Sequence, residues 1–352
     1  MLEQSQFLLE LRSFLIKHWH EYGLEGNPSG LTYRMRQAPL ARADRSRMVA
    51  LWFHDNPEKP SVVTKWGLSP NSGAFTLQEH RHAQWLYEKK SLHFIPKPLD
   101  CPTLSGIPVL IEAAVLGRSF AHRLLSLPLG QESERQKVRL TLESIFEKSA
   151  EILSKIQDPL IPVEKQQLVI RLDPYLSKAS TALGWSPEKI NKIKTIFLDK
   201  ITTPVPGSGK TLMSGDFAPQ HLIESEQGTF LIDLEFSLES LMAFLDPLTL
   251  VYRTFRLLNP ALAQKDNSEA VRCFEAQVFN ENHDFGAVSA RFLESRGLSR
   301  NHFAWYWMVF FLHEAVFQHF VLDHFSAPES AFFNAFISRF SNELEGSLHP
   351  TG

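Results

Sequence analysis

The feature that most limits how this chain can fold is a carboxylate set inside an apolar run, Asp233 at the centre of FLIDLEF (230–236). A carboxylate in such a run costs stability unless it is paired or holds a metal. The preceding residues narrow the choice. Leu212 and Met213 lead into Gly215-Asp216, Pro219 stiffens the loop, and His221 stands five positions after Asp216. Leu222 and Ile223 resume an apolar run, and Gln227-Gly228 marks a turn. The pattern predicts two short strands around a loop over 211–236, with Asp233 inside the second strand. It brings two acids and a histidine to one end of a hairpin, a set suited to a divalent cation and a general base.

The flanking segments are asymmetric. A helix with an apolar face is expected over 2–20, then strands over 31–40, 47–55 and 59–68, with the polar turn ARADRSR (41–47) between the first two. In the third strand Val62 and Thr64 lie on one face, Val63 and Lys65 on the other. A helix is predicted over 75–90, a proline-stiffened connector over 95–99 and an apolar strand over 106–115. Beyond that the chain is mainly helical: a long amphipathic helix spans 133–157, and Ser186-Pro187-Glu188 opens another to about Lys200. The fold class expected is α+β, with a strand-rich N-lobe over 1–112 and a larger helical C-lobe over 113–352.

With 352 residues and a formal net charge of −3, the chain has no basic stripe, which argues against nucleic acid as a partner. Its two cysteines, Cys101 and Cys273, point to a reducing compartment. The most apolar stretch, FAWYWMVFFL (303–312), has ten residues, too few to span a bilayer, and is expected to be a buried helix. The N-terminus lacks the features of a signal peptide, so a cytoplasmic protein without membrane association is expected. Two motif fragments fail on spacing. The stretch 206–211 resembles the end of a phosphate-binding Walker loop, but Pro204 stands where that motif needs glycine. His313-Glu314 resembles a zinc-protease helix, but Phe317 occupies the place of its second histidine.

Taken in order, the motifs resemble the aminoglycoside phosphotransferase and choline kinase superfamily. Its catalytic loop usually reads H-G-D-x-x-x-x-N and its metal strand I-D-x-E/D. Here the loop reads Ser214-Gly215-Asp216 through His221 and the strand Ile232-Asp233-Leu234-Glu235, followed by Asp246-Pro247. Upstream, Lys65, Glu79, Ile95-Pro96-Lys97-Pro98 and 109–120 fall where that family has its phosphate lysine, the lysine-pairing glutamate, a proline element and the strand behind adenine. The resemblance covers roughly 47–255; Ser214 replaces the usual histidine and His221 the usual asparagine. It implies a protein-kinase-like two-lobe fold that uses ATP and Mg²⁺ to phosphorylate a hydroxyl of a small molecule such as an aminoglycoside, amino alcohol or sugar. Asp216 would be the catalytic base, and Asp233 with His221 would hold the metal. Lys65, oriented by Glu79, would steady the α and β phosphates, and backbone groups near Glu112, Ala113 and Ala114 would read the adenine edge. Arg42, Arg45 or Arg47 would contact phosphate in place of a glycine-rich loop. The alternative is a module that holds nucleotide without turning it over.

Overall fold

The structure is a computed structural model and describes residues 4–38, 47–89, 92–127, 134–157, 165–200, 211–240, 242–264, 266–322 and 327–346. Arg42, Arg45 and the stretch 206–210, singled out above, lie outside the described residues. In chain order the elements are α1 (Gln4–His18), β1 (Thr32–Ala38), β2 (Arg47–Phe53), β3 (Val62–Gly67), α2 (Pro70–Gln84), β4 (Pro98–Asp100), β5 (Thr103–Leu104), β6 (Ile107–Ala113), β7 (Arg118–Ser119), α3 (Phe120–Leu125), α4 (Arg135–Ile156), α5 (Lys165–Leu183) and α6 (Pro187–Lys200). There follow β8 (Thr211–Met213), β9 (Leu222–Ser225), β10 (Gly228–Leu231), β11 (Leu238–Ser240), α7 (Leu245–Leu258), α8 (Asn267–Phe274), α9 (Asp284–Ser295), α10 (Phe303–Phe317) and α11 (Ala327–Gly346). The α+β class holds: an antiparallel sheet with one main helix comes first, and helices dominate the rest.

The chain divides into two compact units, Met1–Arg118 with Ile223–Ser237, and Ser119–Leu222 with Leu238–Gly352. In the first unit the sheet runs β1-β2-β3-β6-β4, antiparallel throughout. Alternation along the strands sorts the side chains onto two faces. Met48, Ala50, Trp52, Val62, Trp66, Val109 and Ile111 join one core with Phe7, Leu8, Leu11, Leu15 and Trp19 of α1 and its C-terminal end. Those five α1-side residues recur at helical spacing, which is why the segment forms an amphipathic helix; each fully buried side chain of this size contributes roughly 1.5–3 kcal/mol. Thr64 on this face is buried too, and its hydroxyl accepts the Trp52 indole N–H at 2.9 Å.

The other face of the sheet carries Arg47, Val49, Lys65, Leu110 and Glu112, as the pairings Val49↔Lys65, Lys65↔Leu110 and Val63↔Glu112 require. Helix α2 packs on this face. It begins at Pro70, five residues before the expected start at 75, because Ser69 and Ser72 close a reciprocal capping box and Pro70 fits the first helical position. Gly67 lets that first turn approach. A Cβ on Gly67 would stand 2.3 Å from Ser72 Oγ and 2.5 Å from Gly73 N.

The hairpin after the Asp216 loop differs from expectation in one respect. Strand β10 ends at Leu231, and Asp233 takes a left-handed backbone conformation (φ +66°). The segment 232–237 is therefore not strand, although Leu234 is buried and Phe236 packs against Phe75 as a strand-like pattern would suggest. In the second unit β8 pairs β11, with Met213 opposite Leu238. Helix α10 is buried on all sides, as its composition predicts, and packs against α5 and α11. Phe311 stacks on Phe336 at 4.2 Å between ring centroids. Among the described residues no helix is long and apolar enough to cross a membrane.

Candidate functional site

In the first unit, sheet register and the return of 223–237 gather six charged side chains. Lys65 Nζ donates to Glu79 Oε1 at 2.7 Å and lies 3.0 Å from Glu112 Oε1. Arg47 donates to Glu79 Oε2 at 2.5 Å and to Glu235, and stands 3.8 Å from Asp233. Glu79 Oε1 also accepts the Leu234 N–H at 3.4 Å, tying α2 to the returning segment. Arg47, Lys65, Glu79 and Glu112 are exposed by 3%, 7%, 2% and 6%. So little water reaches them that each charge depends on its partners.

The cluster holds two cations, Arg47 and Lys65, against four acids, Glu79, Glu112, Asp233 and Glu235, a formal charge of +2 − 4 = −2. Where the excess sits follows from the surroundings. Burial alone would raise the Glu79 carboxyl, but Arg47 and Lys65 overcome it and hold it down at about 2. Burial pushes Glu112 up despite Lys65. Burial, with Asp233 beside it, pushes Glu235 up to about 7 against the pull of Arg47. Burial alone would weaken the Lys65 ammonium, yet Glu112 and then Glu79 keep it firmly protonated. Two cations thus satisfy Glu79 fully, and the surplus negative charge falls on the other three acids.

A divalent cation suits this surplus in charge and in the hardness of its oxygen donors. Glu79, Asp233 and Glu235 each offer an oxygen within 4.8 Å of the others'. Glu79 and Glu235 are, however, bonded to Arg47. Asp233, with a third of its side chain exposed and 3.8 Å from Arg47, is the acid in position to take a metal.

The second unit carries the loop after β8. Gly215 takes a positive φ (+82°), and Asp216 follows, partly exposed. Asp246, in the first turn of α7, accepts the N–H of Ser214 at 2.8 Å and of Gly215 at 3.1 Å. Gln157 donates to the same carboxylate at 3.2 Å and to the Ala243 carbonyl at 3.1 Å, while its own oxygen accepts from Arg296 at 3.1 Å. Burial pushes the Asp246 carboxyl up to about 7 against the hydrogen bonds from Ser214, Gly215 and Gln157. Asp216 Oδ1 is buried and accepts no hydrogen bond among the described residues. His221 Nδ1 lies 3.0 Å from the Asp216 carbonyl, an acceptor, so this nitrogen donates its proton there. On α10, Glu314 accepts from Arg253 at 2.9 Å. Burial raises its carboxyl, Arg253 opposes the rise, and the charge of Asp216 adds to it.

Lys65 and Glu79 are therefore bonded, and Asp233 joins their cluster. The residues expected at the adenine edge lie at the C-terminal end of β6. The Ala113 N–H donates to the Lys97 carbonyl at 2.9 Å and the Ala114 N–H to that of Ser61 at 3.1 Å, so both donors are committed within the unit. Glu112 instead presents its side chain to Lys65. Arg47, expected at the junction of the turn 41–47 and the second strand, begins β2 and is buried among acids. Reading the odd-numbered face of the second and third strands together would have put Arg47 beside Lys65. The bracing by Asp246 and Gln157 joins residues far apart in sequence, and for Gln157 no local signal exists.

No protein-family profile matches the chain, and no curated protein is similar to it in sequence. Three solved structures align over most of the chain, with TM-scores below 0.5. The GDP complex of wild-type aminoglycoside 2'-phosphotransferase-IIIa is 11% identical, with a TM-score of 0.46, over 95% of this chain and 99% of that one. The streptomycin–ATP ternary complex of APH(2")-IIa is 14% identical, with a TM-score of 0.43, over 91% and 98%. A double mutant of the PknI kinase domain of Mycobacterium tuberculosis is 12% identical, with a TM-score of 0.33, over 89% and 96%.

Proposed function

We propose that the chain is a phosphotransferase that moves the γ-phosphoryl group of ATP to a hydroxyl of a small molecule. The observation that carries this reading is the buried Lys65–Glu79 pair, 2.7 Å long, set between a strand and the helix packed on it and completed by Asp233 from a distant segment. A fixed, fully protonated ammonium in such a setting is suited to steady the α and β phosphates. Asp216 accepts the proton of the acceptor hydroxyl as its oxygen bonds to phosphorus and ADP departs. Asp246 and Gln157 hold the loop that presents Asp216, which reduces the reorganisation needed at reaction. Asp233 would hold Mg²⁺, which when bound neutralises charge on the phosphates.

The test is ATP consumption by the purified chain with Mg²⁺ and a panel of aminoglycosides, amino alcohols and sugars. Turnover with at least one acceptor, lost in Asp216→Asn while nucleotide binding persists, is the expected result. Nucleotide binding without turnover across the panel would favour a second reading, a module that holds nucleotide. That reading is motivated by the second grip of Glu112 on Lys65, which competes with phosphate for the ammonium. Absence of nucleotide binding would remove both.

A further inference from the structure

We infer that Arg47 is a resident cation of the proposed nucleotide site, holding among Glu79, Asp233 and Glu235 the place that a divalent ion would otherwise take. Those three acids are the group of described residues whose oxygens converge closely enough for a metal, and Arg47 reaches every one of them. The side chain suits this role. A guanidinium stays charged and carries five donors in a planar fork, so one group can bind carboxylates on several sides. It is held from the backbone outward: Arg47 opens β2 opposite Gly67, on the sheet face that α2 covers.

The consequence concerns how metal enters. With Arg47 present, Glu79 and Glu235 are committed to it, and Asp233 alone is too few protein oxygens for strong divalent binding. Metal is therefore taken up together with the phosphates that complete its coordination. Without Arg47, four carboxylates would face one ammonium, and the acid group would become a metal site in its own right. Arg47 is on this account a positioning residue: it keeps Glu79 aimed at Lys65 and Glu235 away from the metal.

The inference deepens the phosphotransferase reading and rests on it for the role of Asp233, and metal binding measured without nucleotide separates the two. The full chain is titrated with Mn²⁺ alone, and free Mn²⁺ is followed by electron paramagnetic resonance. Arg47→Gln is expected to bind Mn²⁺ at least about tenfold more tightly than wild type, and Arg47→Gln/Glu235→Gln to lose that gain. Wild type that binds Mn²⁺ as tightly as Arg47→Gln overturns the inference, as does a folded Arg47→Gln without the gain. Should Arg47→Gln be destabilised, Mn²⁺ is expected to raise its midpoint of thermal unfolding and not that of wild type. Failure of Mn²⁺ to do so likewise counts against the inference. None of these measurements needs an acceptor or turnover, so an active phosphotransferase can fail them and an inactive chain can pass.

Discussion

The Glu112 carboxylate lies 3.0 Å from the Lys65 ammonium, on the strand that neighbours it in the sheet. Lys65 is thereby held from two sides, by Glu79 on the helix and by Glu112 on the strand. The two grips are unequal in consequence. Glu79 also carries Arg47, so its loss takes one partner from each of two buried cations. Glu79→Gln is expected to cost about 3–5 kcal/mol and Glu112→Gln about 1–3 kcal/mol. Denaturant unfolding of both variants checks the order; equal losses would mean that the Arg47–Glu79 bond contributes nothing.

Asp246 accepts two backbone N–H bonds from the loop that carries Asp216. Asn in its place presents one acceptor oxygen and one donor NH₂, so a loop N–H loses its partner. Asp246→Asn should lower stability by about 1–3 kcal/mol and turnover far more than nucleotide affinity. Calorimetry and ATP consumption read the two effects, and unchanged turnover would show that the brace does not position Asp216.

His313 on α10 is buried beside Tyr175, with ring centroids 5.7 Å apart. Burial, with Arg253 adding to it, lowers its pKa from 6.5 to about 4. The native state then binds fewer protons than the unfolded chain between about pH 4 and 6.5, so stability falls as pH drops through that window. The full effect is about 3 kcal/mol, 2.5 units at about 1.36 kcal/mol each. His313→Leu should flatten this part of the stability profile relative to wild type. A variant profile parallel to that of wild type from pH 7 to 4 would contradict the assignment.

Gly67 has no room for a Cβ, with Ser72 Oγ and Gly73 N in the way. Gly67→Ala must push α2 off β3, and Glu79 moves with the helix. A loss of about 1–3 kcal/mol with a weaker hold on nucleotide is expected. Retained affinity at reduced stability would separate helix packing from the Lys65–Glu79 geometry.

Asp233 tests backbone against chemistry. Its left-handed conformation (φ +66°) is one that glycine adopts without strain. Asp233→Gly should stay within about 1 kcal/mol of wild type in stability and lose turnover. Activity comparable to wild type would remove Asp233 from the reaction.

The strands of the first unit are legible in the sequence because the face turned to the α1 core is mostly apolar, which imprints alternation on Val62, Thr64 and Trp66. The helix that carries Glu79 is legible too, except for its start, which a serine cap and a proline set and which apolar periodicity does not register. FLIDLEF reads as strand throughout because Leu234 buries and Phe236 packs on Phe75 in a non-strand loop, much as they would in a sheet. Apolar spacing records burial, and here burial outlasts the hydrogen-bonded ladder. The Arg47 cluster is hidden for another reason: it depends on strand register and on a segment returning from more than half the chain away. Neither is written in any local window.

That return sets a condition on how the protein can be made. The N-terminal unit completes its buried charge cluster only with Asp233 and Glu235, which lie beyond Leu222 in the chain. A nascent polypeptide emerging as far as Arg118 has its sheet residues and both cations but half of the four acids. Complete assembly of this unit must wait until residue 237 has left the ribosome.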